Sequence, residues 1–122
     1  MKLRIRGNSI RIRLQITEIE QLSKNGRVTE TIDFAPDQTL TYSIISNNDA
    51  GTISASFTSN EVSVNIPGPI AKDWCDSEEV SLETSQVIDE GTRLKILLEK
   101  DFKCLTRRDD ETDMFPNPKK AH

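Results

Sequence analysis

The first fourteen residues, MKLRIRGNSIRIRL, alternate apolar and polar side chains strictly on both sides of Gly7-Asn8. A strand points successive side chains to opposite faces, and a helix does not, so this period belongs to strands. Leu3 and Ile5 fall on one side of the first run, as do Ile10, Ile12 and Leu14 in the second; Lys2, Arg4, Arg6, Arg11 and Arg13 fall on the other. The stretch predicts a β-hairpin with one apolar face and one strongly basic face. Such a hairpin needs strands beside it and a core beneath it, and the rest of the chain repeats its pattern.

After Leu14 the period changes. Thr17 and Glu20 have the spacing of a capping box, Ile16, Ile19 and Leu22 recur at helical spacing, and Asn25-Gly26 is a stop. A helix of two to three turns is expected, followed by strands over Arg27–Phe34 and Thr39–Ile45 around an Ala35–Gln38 turn. Val28, Ile32 and Phe34 share one side of the first strand, and Glu30 interrupts it. After the Ser46–Gly51 loop, strands are expected at TISASF and EVSVNI. Pro67-Gly68-Pro69 opens a short helix with Ile70, Ala71 and Trp74 toward the core, and EVSLET and TRLKILLEK close the pattern with a Val87–Gly91 loop between them.

The two halves, 1–47 and 51–99, align at an offset of 52 residues without a gap: Ile10, Ile12 and Leu14 fall on Val62, Val64 and Ile66, Leu22 on Trp74, Val28 on Val80, and Tyr42 and Ile44 on Leu94 and Ile96. The expected fold is α+β: a duplicated β-β-α-β-β unit, eight antiparallel strands curling into a barrel or paired half-barrels with two short helices. The barrel is either filled by its apolar faces or, turned inside out, lined by polar faces as a tunnel; the filled form is favoured. One domain spans 1–106, and 107–122 is a polar tail with the charge run RRDDETD and an extended FPNP. Ile45 and Leu97 place apolar groups on polar strand faces, one per half, which predicts an exposed patch and a homodimer.

The chain carries a net −4, but residues 1–27 carry +5 and the remainder −9. The acidic whole argues against general nucleic-acid binding, while a local basic patch remains. No apolar run is long enough to span a membrane, and the alternating N-terminus does not read as a signal peptide. Cys75 and Cys104 stand apart, which reads as reduced thiols in a cytoplasm, a single disulfide in an exported protein being the other reading.

The opening MKLRIRGNSIRIRL, the run LLEKDFKCL and the late FPNP resemble a family of uncharacterised bacterial proteins of about this length. The resemblance implies a small cytoplasmic protein and brings no activity. The duplicated order of elements is similar to the triphosphate tunnel (CYTH) fold in topology only. The ExExK motif of that family is absent, and Lys2, Arg4 and Arg6 stand where acidic ligands would be sought.

Arg4, Arg6, Arg11 and Arg13 are the candidate anion-binding residues: cross-strand neighbours lie about 5 Å apart, and guanidinium forks suit phosphate or carboxylate. The other reading is a solvated face paired with Glu30, Glu79 or Glu83. An alternative places a divalent metal, Mg or Mn, on Glu79, Glu83 and Glu99 for phosphoanhydride hydrolysis. His122 is the only histidine, so a histidine base is not expected. No catalytic residue is assigned and no cofactor is expected outside that alternative. The leading reading is a non-enzymatic module for a small anion or an acidic protein segment.

Overall fold

The structure, a computed structural model, describes residues 1–101. In chain order it forms β1 (Lys2–Ile5), β2 (Ser9–Leu14), α1 (Ile16–Asn25), β3 (Arg27–Ala35), β4 (Gln38–Asn47), β5 (Ser54–Thr58), β6 (Glu61–Pro67), α2 (Gly68–Asp76), β7 (Ser81–Asp89) and β8 (Thr92–Lys100). The α+β class and the order of elements follow the sequence expectation. The expectations for the 107–122 tail and for Cys104, and with it a Cys75–Cys104 bridge, lie outside the described residues.

The strands do not form one antiparallel barrel. They make two four-stranded sheets, β1-β2-β8-β7 and β3-β4-β6-β5. Each sheet takes one hairpin from each half, and the hairpins join through a parallel central pair, β2 with β8 and β4 with β6. Alternation specifies which face of a strand is buried, not which strand lies next to it or in which direction, so the parallel pairs were not readable from it.

The ungapped alignment of the halves is corrected by the pairing. The β1–β2 register (Lys2 with Arg13, Ile5 with Ile10) recurs in β5–β6 at an offset of 52 (Ser54 with Asn65, Phe57 with Val62). The β3–β4 register recurs in β7–β8 at 54: Arg27 with Ile45 becomes Ser81 with Glu99, and the bulge at Asp33/Ala35 becomes that at Val87/Asp89. Two extra residues therefore enter after the second helix. Val28 corresponds to Leu82, and Ile44 to Leu98. Ile45 and Leu97, both half-buried, are not a matched pair, since Ile45 corresponds to Glu99 and Leu97 to Ser43.

Helix α1 begins two residues earlier than its predicted box. Gln15 is the N-cap and Glu18 closes the reciprocal bonds, its Oε1 accepting from the Gln15 N–H at 2.8 Å. Gly26, at φ 74°, ends the helix in the left-handed region. Ile16 is exposed, whereas Leu22 is buried. Helix α2 carries Pro69 in its first turn and sinks Ala71 and Trp74. Strand β7 runs on through the predicted Val87–Gly91 loop as far as Asp89.

One core joins both sheets and both helices: Ile12, Leu14, Ile96 and Leu98 from the first sheet, Val28, Ile44, Val64 and Ile66 from the second, and Leu22, Ala71 and Trp74 from the helices. The inner faces are thus filled, and among the described residues no polar tunnel runs between the sheets; Arg4, Arg6, Glu83 and Lys95 point outward and are exposed. The filling stops short of the hairpin turns. Ile5, Phe34, Phe57 and Ile88, inward by alternation at the four turn ends, are exposed. The helices cover only the other end of the sandwich.

Two seams join the edges of the sheets. Gln86 of β7 brackets Ala55 of β5, its Oε1 accepting from the backbone N–H at 2.7 Å and its Nε2 donating to the carbonyl at 3.1 Å. This side chain stands in for a ladder partner at an open edge. At the other seam the Met1 ammonium is held between the carboxylates of Glu18 and Glu30. Tyr42 donates to Glu30 at 3.0 Å and to the Met1 carbonyl at 3.2 Å. Glu30, the residue that breaks the apolar pattern of β3, is therefore turned inward for a reason.

Candidate functional site

The outward face of the first sheet can be read row by row from its register. One row is Lys2, Arg13, Glu99 and Ser81; the next is Arg4, Arg11, Leu97 and Glu83; the third is Arg6, Ser9, Lys95 and Ser85. Arg93 follows on β8, beside Asn8, whose side-chain N–H donates to the Arg93 carbonyl at 2.7 Å. The predicted basic hairpin is thus extended by a strand from the other end of the chain, which brings Lys95 and Arg93 to the same surface.

The four arginines divide into two pairs. Arg11 Nε lies 2.5 Å and Arg13 Nε 3.2 Å from one oxygen of Glu99, and all three side chains are largely covered. Burial pushes the Glu99 carboxyl upward, but the hydrogen bonds and charges of Arg11 and Arg13 outweigh it and hold its pKa below the ordinary 4.5. The partner that Arg11 and Arg13 share, Glu99, lies outside the expected set of Glu30, Glu79 and Glu83. Glu30 serves the Met1 ammonium, and Glu99 takes the arginines because β8 lies parallel beside β2. Arg4 and Arg6 are exposed and, with Lys95, form no ion pair with a carboxylate among the described residues.

A cleft of about 430 Å³ opens on this face. Arg4, Arg6, Arg11 and Lys95 contribute its cationic groups, Ser9 a hydroxyl, Leu97 an apolar patch, and Glu83 a single acid at the side. An anion entering it would meet guanidinium and ammonium donors from three strands. Arg13, the fourth predicted residue, stands one row away and belongs to the Glu99 pair. Lys95 is the site residue that sequence reasoning missed: its place in TRLKILLEK marks it as outward, but only the parallel β2–β8 pairing puts it opposite Ser9.

The structure does not assemble the alternative metal set. Glu99 is engaged by two arginines, Glu83 sits in the Leu97 row, and Glu79 precedes β7, its N–H bonded to the Ser77 hydroxyl at 3.1 Å. Among the described residues no group of three or more His, Cys, Asp or Glu is placed to hold a metal.

Other groups with chemical potential are accounted for structurally. Burial, and then the charge of Asp76, raises the Cys75 thiol above its ordinary value, which disfavours the thiolate. Trp74 is fully buried as a core anchor, with the Lys100 ammonium 5.7 Å from its ring centroid. In the Met1 seam, burial works against the ammonium, yet the bonds to Glu18 and Glu30 raise its pKa above 8.0. Burial and the neighbouring Glu30 push Tyr42 up to about 12.

No helix among the described residues is long and apolar enough to cross a membrane. Comparison with curated proteins and with solved structures finds no match to either, so the likeness to the tunnel fold gains no support. Residues 1–119 do match one family, which takes in the basic hairpin, the strand that carries Lys95 and nearly all of the chain beyond. The chain belongs to a family of unknown function (DUF7009).

Proposed function

We propose that the protein is a non-enzymatic binding module whose first sheet presents an anion-recognition face, with Arg4, Arg6 and Lys95 as the primary contacts. One observation carries this reading. In a chain of net charge −4, three cations line one cleft with no carboxylate paired to them among the described residues. Unpaired like charges set side by side repel one another, and a bound polyanion would relieve that repulsion. Arg11 supports the cleft while also serving Glu99. The ligand class is a small polyanion or an acidic protein segment, and the setting a bacterial cytoplasm. The recurring registers support reading the halves as a duplicated unit.

Inorganic triphosphate at low ionic strength is the probe. It is expected to raise the melting temperature in a concentration-dependent way. Arg4→Ala with Arg6→Ala is expected to weaken binding at least about tenfold, since each charge-assisted hydrogen bond contributes roughly 1.5–3 kcal/mol. Unchanged binding in that double variant would reject the site. The hydrolase alternative needs a polar tunnel and a carboxylate cluster, and the described residues offer no group of three or more acids placed for a metal; phosphate release from triphosphate with Mg²⁺ or Mn²⁺ would favour it.

A further inference from the structure

We propose that the cationic cleft has a built-in occupant, the acidic run Asp109, Asp110, Glu111 and Asp113 of the same chain, which an outside anion must displace. The inference rests on the anion-binding reading above and names the ligand that is always at hand.

Charge complementarity comes first. The cleft presents Arg4, Arg6 and Lys95 without ion-pair partners among the described residues, and residues 109–113 carry four carboxylates in five positions. The second reason is where the described chain leaves the body. The Asp101 N–H donates to the Leu14 carbonyl at 2.8 Å, and its carboxylate lies 3.4 Å from Lys2 Nζ. The chain thus departs at the end of the Lys2–Arg13–Glu99 row, on the sheet that bears the cleft.

Length comes third. The cleft rows lie two and four residues further along the strands, about 7–13 Å at strand rise. Asp109 follows Asp101 by eight residues, a reach of up to about 28 Å. A tether this short gives a local concentration on the order of millimolar, so weak pairings suffice for occupancy. The sequence of the run fits as well. Met114-Phe115 follow the acids directly, and the half-buried Leu97 offers an apolar contact between the cations.

Two measurements on the full chain test this. Zero-length carbodiimide coupling is expected to join Lys95 to a carboxylate in 109–113 within one molecule, and the product should vanish in about 0.5 M salt, where exposed charges are screened. Neutralising the run (D109N, D110N, E111Q and D113N together) is expected to tighten triphosphate binding about tenfold at fixed salt, because the fraction of open sites rises. Absence of the intramolecular coupling, or equal triphosphate affinity in the two proteins, overturns the proposal and leaves the site itself standing. Coupling found only between molecules reassigns the occupant to a second copy and also overturns it. Triphosphate binding by neither protein rejects the anion site, and the tethered ligand with it.

Discussion

The two sheets share one pairing scheme and present opposite chemistry to water. Position by position, Lys2, Arg4 and Arg6 of β1 become Ser54, Ser56 and Thr58 of β5. Arg11 and Arg13 of β2 become Ser63 and Asn65 of β6, and Lys95 of β8 becomes Thr41 of β4. The second sheet keeps one exposed arginine on its rows, Arg27, and neutralises it locally. Its Nη2 lies 2.8 Å from Glu61, its Nε donates to Thr29 at 3.1 Å, and Ser43 donates to the same Glu61 oxygen at 2.6 Å. The inward positions of both sheets are mostly apolar because they share a core. The outward positions obey no such constraint, so two sheets of one pairing scheme are free to carry different charge.

If the sheets are equivalent inside, equivalent core truncations should cost the same. Ile44→Ala and Leu98→Ala, both at fully buried positions related by the 54-residue offset, are each expected to lose about 2–5 kcal/mol in urea unfolding. Losses differing by more than about 1.5 kcal/mol would break the equivalence.

Outside the core, the sheets should respond unequally. Glu99→Gln removes a largely covered acid shared by two arginines and is expected to cost about 1–3 kcal/mol. Glu61→Gln, whose arginine partner is half exposed, should cost less than about 1 kcal/mol. Acid sharpens the contrast. Since the folded-state pKa of Glu99 is depressed, its stabilisation is complete above 4.5 and is lost as pH falls through its folded value. Stability of the wild type should therefore decline more steeply below pH 4.5 than that of Glu99→Gln.

The two seams differ too. Tyr42 is the only tyrosine, so its ionisation can be followed by absorbance, with a midpoint expected near the value of about 12 set by burial and Glu30. A raised pKa stabilises below 10 and is lost as pH climbs through the folded value, so alkaline unfolding should begin there. Tyr42→Phe is expected to cost about 1–2 kcal/mol, the loss of a partly buried hydrogen bond to a charged group. The smallest effect belongs to the outward face of the second sheet. Ser56→Arg with Thr58→Arg should change stability by no more than about 0.5 kcal/mol per site, and should add triphosphate affinity if charge rather than position makes the site.

Much of this was legible from period alone. The alternation of KLRIR and SIRIRL placed the arginines on one outward face, and Asn25-Gly26 ended the first helix where the structure ends it. What alternation could not carry was anything that depends on partner or register. A strand shifted by two residues looks the same to a pattern of period two, so the step from 52 to 54 after the second helix was invisible. Glu99 was misread for the same reason. It sits 86 residues from Arg13, and nothing local to either residue reports that β8 runs beside β2. Glu30, by contrast, showed itself as a fault in an apolar row, and the fault marked a partly buried ion pair.

The interlaced sheets also have a bearing on how the chain is made. Ser9 pairs with Lys95 and Leu14 with Lys100, so the first sheet cannot close until nearly all of the described residues have left the ribosome. Until then the hairpin at the start of the chain has no neighbour, and its edge stays open to other strands. Pairings of such long sequence separation slow folding in general. The arginines and lysine that face outward on β1 and β2 set like charge against like charge wherever two nascent hairpins meet edge to edge, and so guard the open strand while it waits. On this account the same cations that we propose as a binding face in the finished molecule act earlier as its protection against self-association during synthesis.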